Sequence, residues 1–151
     1  MCELKIKLPA LLIGIGNKGR NDDGLGWDFV ENIEQKKLPN ISCEFRYQLQ
    51  IEDAHLISQY ESVFFVDASH QSIDKGFEIN ECKPINHFYF SSHSQSPETI
   101  LYLAKEFYHK DSSAFTIAIA GEDWNFENKL SEVAKRNLDK SLKGFERLYY
   151  L

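Results

Sequence analysis

The chain has no run approaching the ~18–20 apolar residues that a membrane helix needs. Its opening residues, Met1-Cys2-Glu3-Leu4-Lys5, lack the long apolar stretch of a signal peptide. It also has no basic block: 17 lysines and arginines face 23 acids, for a net charge of −6, which argues against nucleic acid as a partner. Cysteine is scarce. Cys2, Cys43 and Cys82 are odd in number, widely spaced and form no CxxC pair, so zinc-ribbon and thioredoxin readings fail and thiols in a reducing compartment are expected. Four prolines and eight glycines mark no linker or repeat, and residues 1–151 read as one domain able to bury its own core. The chain lacks an HExxH motif, a GxSxG elbow and a cysteine in a recognisable protease context. These absences predict a cytoplasmic protein that touches neither membrane nor nucleic acid; a monomer is expected, although nothing in the sequence reports the oligomeric state.

The most informative segment is 14–26, Gly-Ile-Gly-Asn-Lys-Gly-Arg-Asn-Asp-Asp-Gly-Leu-Gly. It follows the apolar run Ala10-Leu11-Leu12-Ile13 and precedes an amphipathic stretch, an order that reads strand, tight turn, helix. A phosphate cradle wants free backbone N–H groups and a cation. Asp22 and Asp23 would repel an anion there, so the turn suits a cation.

Strands are expected over Pro9–Ile15, Ile41–Leu49, Val63–Val66 and Phe115–Ala120, with an edge strand over Phe77–Cys82. Helices are expected over Asp23–Lys36 and Glu52–Gln59. A third follows the Ser96-Pro97-Glu98 start as far as His109, with Ile100, Leu103, Ala104 and Phe107 inward. A last helix begins at Ser131, with Val133, Ala134, Leu138, Leu142 and Phe145 inward, and Tyr149-Tyr150 is read as a packed tail. Strands alternating with helices predict a three-layer α/β/α domain with a mainly parallel twisted sheet.

Ligand sites in such sheets lie beyond the carboxyl ends of the strands. That rim receives Asp23 from the first strand's loop, Asp67 from the third strand, His93 from a Ser-rich loop, and Gly121 from the last strand. Two carboxylates and an imidazole suit a borderline divalent ion. Each also has a plainer use. Asp23, or equally Asp22, can simply favour a helix N-terminus by ~0.3–1 kcal/mol, and His93 can be an ordinary surface histidine. Asp67 is harder to dismiss, because an unpaired charge beside a buried strand is costly.

Together, Gly14-Ile15-Gly16-Asn17, Asp22-Asp23-Gly24-Leu25-Gly26, Gln48-Leu49-Gln50, the segment Val63 to Ser69, Ser91-Ser92-His93, Ile117 to Gly121 and Leu130-Ser131 resemble the nickel–iron hydrogenase maturation proteases. The blocks follow in order over nearly the whole chain. The resemblance implies an α/β three-layer fold and an endopeptidase that removes a C-terminal extension from the hydrogenase large-subunit precursor after nickel insertion. By motif it places the metal-contacting groups on Asp23, Asp67 and His93. It further implies that nickel arrives with the substrate and that no organic cofactor is tightly bound. Asp23 stands where several relatives carry Glu, and Lys18-Gly19-Arg20-Asn21 is more basic and polar than usual for the family. If His93 ligates only when neutral, activity falls below pH ~6.5.

Two other readings stay open. Gly14-Gly16-Gly19 completes a GxGxxG dinucleotide fingerprint, although Asp22-Asp23 follow it. A non-catalytic adaptor of the same fold would keep the cleft and bind without cutting.

Overall fold

The computed structural model describes residues 5–86 and 95–151. His93 and the rest of 87–94 lie outside the described residues, as do residues 1–4. Five strands form one sheet: β1 (Ala10–Ile15), β2 (Ile41–Arg46), β3 (Ser62–Ser69), β4 (Phe77–Cys82) and β5 (Ser113–Ala120). Their order is β2-β1-β3-β5-β4. The first four in that order run parallel, and β4 pairs antiparallel with β5.

The helices are α1 (Leu25–Gln35), α2 (Asp53–Ile57), α3 (Pro97–Tyr108) and α4 (Glu132–Tyr149), with a 3-10 turn over Asn21–Gly24 ahead of α1. Strand side chains alternate between faces, so each strand feeds two cores. Leu12, Phe64, Val66 and Ile117 pack with Phe29 of α1 and Phe145 of α4. Leu11, Ile13, Val63 and Phe65 pack with Ile57 of α2 and Ile100 of α3. The expected three-layer arrangement is therefore present. Phe145 meets Phe29 and Phe64 edge-on, with ring centroids 5.8 and 5.3 Å away, and burying each such ring contributes about 1.5–3 kcal/mol.

Both expected helix starts are capped. Ser96 Oγ accepts the Thr99 N–H at 3.2 Å, and Ser131 Oγ accepts the Ala134 N–H at 3.1 Å. Some boundaries differ from the sequence expectation. β2 stops at Arg46 because the chain there leaves the α1-side core, which holds Cys43 and Phe45, to deliver Leu49 to the opposite one. β3 does not close at Asp67. It continues to Ser69, because β5 offers partners as far as Ala120. In α3 the buried stripe ends at Ala104, and Phe107, expected inward, is 69% exposed beyond the core. Tyr150 is likewise exposed, while the Tyr149 hydroxyl donates to the Pro39 carbonyl at 3.1 Å. The inner face of α4 also carries buried Asn137 and Ser141, which hydrophobic periodicity passes over. Asn137 Nδ2 donates to the carbonyl of Ala120 at 2.8 Å, tying α4 to the end of β5.

Candidate functional site

The turn after β1 is pressed onto the sheet. Gly16 has φ +135°, a region L side chains rarely adopt, and a Cβ there would lie 2.1 Å from the Asp23 carbonyl oxygen. At Gly26, in the first turn of α1, a Cβ would lie 2.3 Å from the Val66 carbonyl oxygen and 2.6 Å from that of Ile15. Only glycine lets the start of α1 come this close to β1 and β3, and this approach brings the Asp22-Asp23 pair to the strand ends.

The two neighbouring acids then do different work. Asp22 is fully buried. Its carboxylate accepts the N–H groups of Glu122 (2.8 Å), Asp123 (2.9 Å) and Ser131 (2.8 Å), and the Ser131 hydroxyl at 2.7 Å. Burial alone would raise its pKa, but these donors outweigh burial and hold the carboxyl below its ordinary value. Asp22 is thus a clamp that fixes the β5–α4 loop. Gly121, which the last strand brings to this rim, makes room for the clamp: a Cβ there would lie 2.7 Å from Asp22 Cβ. Asp23 is partly open. Its Oδ2 accepts the Asn17 N–H at 2.9 Å, and Asn17 Oδ1 in turn accepts the Gly19 N–H at 2.9 Å.

Asp67 lies on β3 opposite Ala118 of β5. By strand alternation it shares a face with Val63 and Phe65. The α2 and α3 helices cover those two residues but not the strand's far end. A cleft of ≈ 450 Å³ opens there, lined by Asp67, Gln48, Gln95, Glu98, Phe65 and Thr116 among others. Water reaches Asp67, yet the surrounding cleft wall desolvates its carboxyl. That desolvation, reinforced by the charge of Asp23, raises its pKa from 3.8 to about 7, against the opposing Ala68 N–H bond of 2.8 Å. The structure therefore brings two of the three sequence-predicted residues, Asp23 and Asp67, within electrostatic reach of each other, and Asp67 lines the cleft. Among the described residues no third histidine, cysteine or acid joins them in a metal-holding cluster. Sequence reasoning missed Gln48, Gln95 and Glu98 as cleft-lining groups. Gln48 stands inside the block that carried the resemblance, and Glu98 inside the capping motif, but neither position signals a cleft.

The GxGxxG match does not build a phosphate cradle. The N–H groups of Gly16, Asn17, Gly19, Arg20, Asp22 and Asp23 are already given to Arg46 O, Asp23 Oδ2, Asn17 Oδ1, Asn17 O, Asp123 O and Arg20 O. The donors that would hold a pyrophosphate are thus consumed within the turn.

The sequence matches no protein-family model and no curated protein. Solved structures do resemble it. The HycI maturation protease of Thermococcus kodakarensis superposes with TM-score 0.72 at 20% identity, over 94% of this chain and 92% of that one. The maturating endopeptidase HybD of E. coli gives 0.72 at 16% identity, over 90% and 88%. The hydrogenase 2 maturation peptidase of a Thaumarchaeota archaeon gives 0.68 at 16% identity, over 93% and 97%. The fold is that of the nickel–iron hydrogenase maturation proteases. In this fold the 3-10 turn that follows β1 packs against β3, and here the turn carries Asp23 and the far part of β3 carries Asp67. No helix among the described residues is long and apolar enough to cross a membrane.

Proposed function

We infer that the protein is an endopeptidase that removes the C-terminal extension of a nickel-loaded hydrogenase large-subunit precursor. One observation supports this reading: in a maturation-protease fold, Asp67 lines an open cleft and Asp23 stands within electrostatic reach of it. Nickel enters as part of the substrate. Asp23 and Asp67 are two of its ligands and His93 the third. Asp67, with a carboxyl pKa raised to about 7, gives up its proton as the ion binds, because only the carboxylate ligates. Coordination seats the extension in the cleft and orients its scissile bond, which converts a bimolecular encounter into a positioned one. Gln48 lines the same cleft and offers an amide to an extended peptide.

The test is to incubate the protein with nickel-loaded and nickel-free precursor and follow the precursor by intact-mass spectrometry. A loss of C-terminal mass only in the nickel-loaded sample is expected. Asp23→Asn and Asp67→Asn should stop the loss without unfolding the protein. Nickel-dependent binding with no change in mass would identify a non-catalytic adaptor instead. A variant lacking the Asp67 carboxylate that cuts normally would remove Asp67 from the mechanism.

A further inference from the structure

Arg20 presents a guanidinium that the fold positions but does not neutralise. Its N–H donates to the Asn17 carbonyl at 3.0 Å, and its carbonyl accepts the Asp23 N–H at 2.9 Å. It therefore belongs to the same turn as Asp23, three residues upstream. The side chain runs toward the β5–α4 loop. There Nε donates to the Trp124 carbonyl at 2.9 Å, and Cζ lies 5.6 Å from the centre of the Phe126 ring. Trp124 is itself stacked on His70, with centroids 3.6 Å apart and rings inclined by 19°. One bond and one ring thus orient the guanidinium.

Among the described residues, no carboxylate pairs with Arg20. Three of the neighbouring acids have other partners. Asp22 takes four donors, Asp123 Oδ1 accepts the Asn125 N–H at 3.1 Å, and Glu127 pairs with Lys129 at 2.9 Å. Phe126 is 77% exposed, so the ring is open to solvent beside the cation it supports. In a chain of net charge −6, most cations are expected to find an acid of their own. A held, unpaired guanidinium on an open aromatic ring is the arrangement that takes up a carboxylate, because the planar fork matches it with two parallel bonds.

We propose that Arg20, seated on Phe126 in the turn that carries Asp23, binds an acidic side chain of the substrate polypeptide. The identity of that polypeptide rests on the endopeptidase reading above. The receptor itself does not, and the two are tested apart.

In the first arm, the full-length protein is titrated with capped triglutamate, and with capped triglutamine as the uncharged control. The Arg20 Nε–Hε and Trp124 indole signals are followed by nuclear magnetic resonance. Triglutamate should shift both signals saturably and triglutamine should not. Arg20→Gln should weaken binding, read at Trp124, roughly tenfold or more. Phe126→Ala, at an exposed position that does not threaten the fold, should weaken it about two- to fivefold. Equal response to the two peptides, or wild-type binding in both variants, overturns the proposal. If Arg20→Gln proves less stable, Phe126→Ala decides alone.

In the second arm, nickel-loaded precursor is cut at varied salt. Arg20→Gln should raise KM roughly tenfold, leave kcat unchanged and flatten the salt dependence of KM. An unchanged KM with normal cutting refutes the receptor while the endopeptidase reading stands. A wild-type protein that binds triglutamate through Arg20 but leaves the precursor intact refutes the endopeptidase reading and leaves the receptor.

Discussion

Replacing Asp67 by asparagine should make the protein more stable at alkaline pH while abolishing its activity. The carboxyl ionises at about 7 in the folded chain against an ordinary 3.8. An acid with a raised pKa in the native state favours folding below its unfolded pKa, and that advantage is lost as pH rises through the folded one. The penalty for ionising Asp67 therefore accumulates between pH ~4 and ~7 and is constant above that window. At about 1.4 kcal/mol per pKa unit, a carboxyl fully removed from water would show ~4 kcal/mol. Asp67 is exposed to solvent, and screening there reduces the penalty to about 1–2 kcal/mol. Asparagine keeps the oxygen that accepts the Ala68 N–H and carries no charge at any pH. For a chain of this size the gain corresponds to a Tm about 3–6 °C higher. Thermal melts of both proteins at pH 8.5 and pH 4 give the answer. The variant should melt higher at pH 8.5 and coincide with the parent at pH 4. An equal gain at both values, or a loss at pH 8.5, would show that Asp67 is not held against its ionisation and would refute the account of the cleft.

Asp22→Asn should lower stability by about 3 kcal/mol or more, because an amide cannot accept all four donors and leaves buried N–H groups without partners. Urea denaturation at pH 7 measures it. Asp22 favours folding above the ordinary carboxyl value of 3.8 and loses that contribution as pH falls toward its lowered native pKa, so the parent and variant should converge below pH ~4. Gly16→Ala places a side chain against the Asp23 carbonyl at a positive φ. It should cost about 2–4 kcal/mol and depress cleavage along with Tm. Ser131→Ala removes both a helix cap and one donor to Asp22. A loss of about 1–2 kcal/mol is expected in chemical denaturation, with cleavage slowed at temperatures where the protein stays folded.

The sequence allowed the architecture to be read because its signals were local and mutually consistent. The alternation of buried strands with capped amphipathic helices defined the layers, and Ser96 and Ser131 marked two helix starts that the structure shows capped. Asp67 was identifiable because a carboxylate at the end of an apolar run is expensive unless something uses it. The division of labour between Asp22 and Asp23 was not readable. It depends on donors at residues 122–131, a hundred positions downstream, and no local pattern announces them. Gln48, Gln95 and Glu98 were hidden for a similar reason. A cleft forms where two helices stop short of a strand's end, and that follows from helix length and placement rather than from residue type. Phe107 shows the converse case, a position in perfect helical phase that lies past the end of the core it was expected to join.

The Asp22 clamp makes the far end of the chain a structural support of the reaction edge. The segment that launches α4 is gripped by the residue adjoining Asp23, so strain introduced near residue 131 would travel directly into the carboxylate beside it. Sequence drift in this remote segment should therefore be restrained by chemistry it never touches, and truncations or fusions that disturb it should blunt turnover before they loosen the core.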